Sequence, residues 1–307
     1  GKFGGRFGKK GGKKGGAGTE QALKDGLEWL RRHQATDGSW DADGFMDNCV
    51  TCPSEADGPG YAENDVGVTG LALLAFLGDG NTLRKGPYKE VVNRGIKWLR
   101  QQQDYSSGLI GEHRGHHFIY NHAIASLAIS EAYYFSKSPI IKSTVQKAVD
   151  YIHDARDRDG HGTWRYEVPS LGDSDTSITG WMVFALKSAE ESGIKVEKDA
   201  LTDSLLFIEE MTDPSNGRVG YQQAGSYSSR VDGVNKEYPV DQTESMTAVG
   251  LLCRIFLGQT PKDAPIMEEH AKLLLKALPE YKMDGEDLLV DWYYWYYGSY
   301  AMFQMGG

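Results

Sequence analysis

"NDVGVTGLALLAFLG" (64–78) and "YKEVVNRGIKWLRQQQ" (88–103) lie close together in the chain and read in opposite ways. The first is apolar or small at nearly every position, so a helix built from it buries its whole circumference. The second spaces Val92, Ile96 and Leu99 four and three positions apart, with charge between them, so a helix there buries one face only. The same contrast recurs along the chain. Amphipathic segments stand at 20–34, 141–157, 197–211 and 266–281, and apolar ones at 121–135, 176–189, 243–258 and 291–307. Five such pairs predict two layers of helices, with the apolar members inside and the amphipathic members shielding them from water. The expected fold is all-α: an α/α toroid, a barrel of five helical hairpins. An open helical solenoid is the structural rival, and the all-round apolarity of the inner members favours closure.

The opening "GKFGGRFGKKGGKKGGAG" is low-complexity Gly and Lys with almost nothing to bury. Residues 1–18 are therefore read as a disordered linker and residues 19–307 as the toroid domain. The linker holds six basic residues and no acid, which leaves 27 basic against 43 acidic residues beyond it, a formal net of −16. So acidic a body repels phosphate backbones, and nucleic acid is excluded as its partner. The linker has no apolar core of a secretory leader, and a chain beginning at Gly1 reads as one cut from something longer. No window reaches the length of an apolar membrane span, while peripheral membrane contact and membership of a larger chain or assembly stay open. Localisation is not written in the sequence.

Between the paired segments lie Gly-rich loops that end in an aromatic: "ATDGSW", "DGHGTW", "SNGRVGY". The first of these, read as "QATDGSW" (34–40), matches the Q-x-x-x-G-x-W repeat of the squalene and oxidosqualene cyclases. In the third pair the Gln position falls on Arg158, with Gly162 and Trp164 kept; the second, "QDYSSGLIG", keeps Gln and Gly at altered spacing. With "YNHAIASLAISEAY", "GTWRY", "DTSITGWMVFALKSA" and "DWYYWYYGSYAMFQMGG", the chain resembles the single-domain, squalene-cyclase-like bacterial members of the prenyltransferase and squalene-oxidase repeat family. The resemblance covers nearly all of residues 20–307 and implies a toroid with a central cavity entered from one end.

The cyclases this chain resembles keep a D-x-D-D acid motif at the start of an inner helix. Here the same place holds "DSDT". Aligned on its first residue, Asp173 and Asp175 match and Thr176 replaces the last carboxylate; aligned on the following Thr, Asp175 is retained and Ser174 takes the central acid's place. The resemblance assigns protonation to Asp175 tuned by Asp173, with His122 orienting or relaying the proton. The plain reading of these residues is helix capping, which Asp and Ser favour. Every inner segment begins with polar or titratable residues: Asp65, His122, Asp173 with Asp175, Asp241 with Glu244, and Asp291. In a closed ring these starts converge on one mouth, with His116 and His117 beside them; in an open arrangement they are five separate caps. Trp181, Tyr120, Trp292, Tyr293 and Tyr296 are the candidate wall of an apolar substrate site, and Asp241, Glu244 and Asp291 its polar rim. Ordinary core packing is the competing reading of the rings.

"DNCVTC" (47–52) holds a Cys-x-x-Cys pair, half of a zinc site, which His33 or an acidic neighbour would have to complete. A local disulfide or two free thiols is the preferred reading, so no metal is expected, and Cys253 reads as a small buried hydrophobe. The long polar segment 226–242 is either a lid or a surface loop. The expected function is a terpene cyclase-like protein that holds a polyprenyl-type substrate in a central cavity, with protonation-initiated cyclisation as its chemistry and no soluble cofactor. The alternative is a non-catalytic toroid that binds a ligand or a protein. Carbohydrate processing on the same architecture, a third class, would need two carboxylates facing across a groove.

Overall fold

A computed structural model describes residues 17–52, 60–168, 172–225, 238, 243–281, 283–284, 287–288 and 290–306. Asp241, most of the 226–242 segment and residues 1–16 of the basic stretch lie outside the described residues. The described chain is all-α, built from α1 (Ala17–Arg32), α2 (Asp65–Gly78), α3 (Lys89–Gln101), α4 (Phe118–Ser136), α5 (Pro139–Asp154), α6 (Thr176–Ser192), α7 (Lys198–Glu210), α8 (Ser245–Phe256), α9 (Ile266–Lys276) and α10 (Trp292–Met305). One short ribbon pairs 283–284 with 287–288. Each apolar or amphipathic segment of the sequence supplies one helix, in the expected order. Helix α9 stops at Lys276, short of the expected 281. Pro279 explains this, because the residue before a proline is pushed out of helical geometry and Ala277 has already left it.

The helices pack as hairpins, and the chain divides into two compact units. In the unit of residues 17–155 with 185–197, α2 lies along α4, and the amphipathic α3 and α5 lie against them. Gly70 permits the close approach of α2 to α4: a Cβ there would stand 3.0 Å from the Ile124 side chain and 3.1 Å from the Ala125 nitrogen. Helix α4 is buried along most of its length, including Asn121, His122, Ser126, Ser130 and Glu131. In the unit of residues 156–184 with 198–306, α8 is the central element and α7, α9 and α10 pack on it. No helix among the described residues is long and apolar enough to cross a membrane.

The Gly-rich loops form joints between successive amphipathic helices. Gln34 donates its amide to the Gly38 and Val91 carbonyls, at 3.0 Å each, and accepts from Arg94, so it ties the end of α1 to α3. Gly38 has φ +107°, and a Cβ there would meet the Arg94 carbonyl oxygen at 2.5 Å; no other residue type fits. Trp40 fills the space beneath and donates its indole N–H to the Leu30 carbonyl at 2.8 Å. Gln103 repeats the arrangement, donating to the carbonyls of Gly108 and Thr144 at 3.0 Å each.

In the third joint the donor is Arg156, where the spacing of the first copy points to Arg158. Arg156 Nε donates to the Gly162 carbonyl at 2.8 Å, and its guanidinium pairs with Asp203 at 2.5 Å and Asp199 at 3.2 Å on α7. The donor precedes its glycine by four, five and six positions in these three joints. The longer Arg side chain spans the longer loop. In the fourth joint His270 of α9 serves the Gly217 carbonyl at 2.5 Å; burial lowers this imidazole to about 4, so it donates as a neutral ring.

Candidate functional site

The start of α6 is fixed by backbone contacts before any side chain is considered. The Asp175 N–H donates to the Trp164 carbonyl at 3.1 Å and the Thr176 N–H to the Tyr221 carbonyl at 3.0 Å. The Thr176 hydroxyl donates to the Gly220 carbonyl at 2.7 Å. The residue standing where the acid motif has its last carboxylate is therefore a strut that binds the helix start to the neighbouring loop.

The two carboxylates of "DSDT" part company here. Asp173 is half exposed and pairs with Arg165 Nε at 3.0 Å. Asp175 is wholly buried. Its Oδ1 accepts the Ile178 N–H at 2.9 Å, which makes it the N-cap of α6. Its Oδ2 is buried without a hydrogen-bond partner, and the nearest positive charge is Arg165 Nη1 at 3.9 Å. Burial raises the Asp175 carboxyl to about 7, against the lowering effects of the Ile178 N–H and of Arg165. Arg165 is already engaged by Asp173, so it offsets the burial only in part. This carboxyl therefore keeps its proton far above the pH at which an ordinary aspartate releases it.

Around it stand side chains that sequence reading did not single out. The Tyr166 and Tyr221 hydroxyls hydrogen-bond to each other, and the Arg165 guanidinium lies over both rings, 4.8 and 5.7 Å from their centroids. Burial, and then the charge of Asp175, push the Tyr221 hydroxyl well above its ordinary value, so it stays a neutral donor. Tyr166 and Tyr221 end the stretches "GTWRY" and "SNGRVGY", with Arg165 just before Tyr166. Their repeated position was visible in the sequence, but their convergence on one carboxylate depends on the fold.

One turn into α6 an aromatic face begins. The Ser177 hydroxyl meets the Tyr293 hydroxyl at 2.8 Å. Trp181 stacks on Tyr296 with centroids 5.6 Å apart and meets Tyr297 edge-on at 5.3 Å. Residues 177, 181 and 184 share one face of α6, and 293, 296, 297 and 300 share one face of α10. Tyr297, fully buried between Tyr293 and Phe184, is the member of this cluster absent from the expected wall. Tyr296 is partly exposed, whereas Trp292 is largely exposed and touches Trp295 edge-on.

The remaining candidates have contacts of their own. His122 belongs to the unit of residues 17–155 and lies in the middle of its core. Its Nδ1 accepts the Ile110 N–H at 3.0 Å and its Nε2 meets the Ala148 carbonyl at 3.1 Å, so both nitrogens are spent on backbone. Burial lowers it to about 4, which keeps it neutral at physiological pH. Tyr120 is half-buried on the same helix. Glu244 is buried at the start of α8, where it accepts from Arg218 at 2.8 Å and from the Thr247 hydroxyl at 2.7 Å. Asp291 caps α10 by accepting the Tyr294 N–H at 3.0 Å. Asp65 accepts the Ala42 N–H at 2.8 Å and so ties down the preceding loop.

Compared with protein-family models, curated proteins and solved structures, the chain matches none.

Proposed function

We propose that this chain is an isoprenoid-directed, cyclase-like protein whose helical hairpins close into an α/α toroid, and that Asp175 is its proton donor. The observation that carries the reading is the state of Asp175. One carboxyl oxygen is fixed by the helix cap, while the other is fully buried, unpartnered, and raised by its surroundings toward the protonated form. An alkene is a weak base, so the group that protonates it must be held protonated at rest and have its carboxylate stabilised as the proton leaves. On release of that proton the carboxylate keeps the Ile178 N–H and has Arg165 within 3.9 Å. The neighbouring rings of Trp181, Tyr293 and Tyr296 suit an apolar chain and the cations it would form.

The second reading, a non-catalytic toroid that binds a ligand or protein, draws support from Thr176. Its hydroxyl is spent on the Gly220 carbonyl, which leaves the acid motif one carboxylate short. Incubation with squalene and with shorter polyprenyl substrates separates the two. Cyclised product from the wild type and none from Asp175→Asn supports the first reading. Product that survives the substitution removes Asp175 as the acid. Saturable polyprenyl binding without turnover supports the second.

A further inference from the structure

The Cys-x-x-Cys pair gains a third member when the chain folds. A 3-10 turn at Phe45–Asn48 leads into Cys49, and Thr51 and Cys52 turn back beside the end of α1. Both thiols are free, with their sulfurs 3.1 Å apart. A ring nitrogen of His33 and the two sulfurs all lie within 4.8 Å of one another. His33 is fixed from several sides. Its backbone N–H still bonds to the last turn of α1, its ring stacks on Trp29 at 3.8 Å and 23°, and Phe45 lies beside that stack, 6.0 Å from His33 and 5.8 Å from Trp29.

The hydrogen bonding of this ring settles its tautomer. Nδ1 stands 2.7 Å from the Trp29 carbonyl oxygen, which only accepts, so Nδ1 carries the proton. Nε2 is then a bare lone pair, buried on a wholly buried side chain and without a hydrogen-bond partner. Leaving such an acceptor buried and unsatisfied is unfavourable. A histidine whose Nδ1–H is held by a backbone carbonyl and whose Nε2 is left bare is the usual state of a metal ligand.

We infer that His33, Cys49 and Cys52 form a binding site for a zinc-class divalent metal ion. Zinc lies about 2.3 Å from thiolate sulfur and about 2.0–2.1 Å from imidazole nitrogen, which sets ligand atoms roughly 3.3–3.8 Å apart around a tetrahedron. The two sulfurs, 3.1 Å apart, stand slightly closer than that, and all three donor atoms lie within 4.8 Å of one another, so small side-chain rotations bring them to an ion. Two sulfurs and one imidazole select zinc over the hard, oxygen-seeking magnesium and calcium. Arg32 completes the surroundings: its Nη1 donates to the Thr51 hydroxyl at 3.0 Å and lies 3.9 and 3.7 Å from the Cys49 and Cys52 sulfurs. Two thiolates neutralise the divalent ion, so the Arg32 charge is left over at the site. The fourth position therefore favours an anion or a readily ionised water. A local disulfide would leave the His33 lone pair buried and unanswered.

The test is metal analysis of the full chain purified under reducing conditions without chelator. We expect one zinc per chain, and after exchange to Co²⁺ the thiolate-to-cobalt charge-transfer band of a tetrahedral site. Cys49→Ser and Cys52→Ser abolish both signals. His33→Gln weakens zinc binding by about tenfold or more. Cys253→Ala, deep in α8, retains the metal and serves as the control. Because the variants could fail to fold, helicity is read alongside by circular dichroism, and a second measurement uses the wild type alone. Added Zn²⁺ slows alkylation of Cys49 and Cys52, and chelator restores it. Reduced wild type that binds neither Zn²⁺ nor Co²⁺ stoichiometrically, or whose two thiols alkylate equally fast with and without Zn²⁺, overturns the assignment.

Discussion

Replacing Asp175 with asparagine tests the buried carboxyl without reference to any substrate. Burial raises this group from the ordinary 3.8 to about 7. Between those values the folded protein holds a proton that the unfolded chain has released, so stability falls as pH rises. The full contribution is present below pH 3.8, and it is lost through the window at about 1.4 kcal/mol per pH unit, close to 4 kcal/mol in all above about pH 7. The carboxyl is wholly buried, so solvent screening does not reduce this figure. The asparagine still accepts the Ile178 N–H through its amide oxygen, but its NH₂ brings two N–H donors where the protonated carboxyl has one O–H beside the Tyr221 hydroxyl, and the extra buried donor costs about 1–3 kcal/mol. Near pH 4 the variant is therefore the weaker protein by roughly that amount. Near pH 8 the order reverses, and the variant is the more stable by about 1–3 kcal/mol. Urea unfolding of both proteins across this range, followed by tryptophan fluorescence and circular dichroism, gives the difference directly. Other titrating groups cancel in that difference. Parallel stability curves for the two proteins would refute the reasoning, because they would mean that Asp175 folds ionised.

Three further outcomes follow from the joints and the buried ion pair. Gln34→Ala leaves the Gly38 and Val91 carbonyls without their donor and costs about 1–3 kcal/mol, whereas Trp40→Ala empties the space beneath and costs about 3–5 kcal/mol; urea midpoints rank them. Arg156→Lys keeps a donor of similar reach for the Gly162 carbonyl and loses only the forked pairing to the exposed Asp199 and partly exposed Asp203, so it is milder than Arg156→Ala by about 1 kcal/mol in the same assay. Arg218→Ala strands the buried Glu244 carboxylate with the Thr247 hydroxyl as its remaining partner, at a cost of about 3 kcal/mol, and Glu244→Gln in that background recovers part of it. Equal losses for the single and double variants would deny that the stranded charge is the cause.

The helices were legible because burial is written into composition. A segment such as 121–135 has no polar face to offer water, and α4 has none exposed along most of its length. The joints were legible only where spacing repeated. Counting from the first copy selects Arg158, but the third loop is longer and the donor is Arg156, a distinction that lies in side-chain reach. Within "DSDT" the sequence marks a helix start, which both Asp175 and the Thr176 strut confirm. It does not reveal that Asp173 faces water while Asp175 is sealed: residues two apart share a face in an extended chain, and only the packing of the start of α6 against its neighbouring loops separates them. Arg165, Tyr166 and Tyr221 come from loops more than fifty positions apart, and only the fold brings them to one carboxyl. His33 was the stated candidate partner for Cys49 and Cys52, but its tautomer depends on a carbonyl one helical turn away.

The joints carry a consequence for how freely this chain can vary. In each, the fixed component is a glycine of positive φ presenting its carbonyl to a side chain, and that side chain is a glutamine twice, an arginine once, and once a histidine reaching in from the following helix. The socket is invariant and the plug is interchangeable. Saturation mutagenesis should therefore read as a strong asymmetry: near-total intolerance at Gly38, Gly108, Gly162 and Gly217, beside broad exchange among long donors at the facing positions. A lineage of such chains could shed the aromatic and glutamine letters of its repeat while every mechanical connection stayed in place.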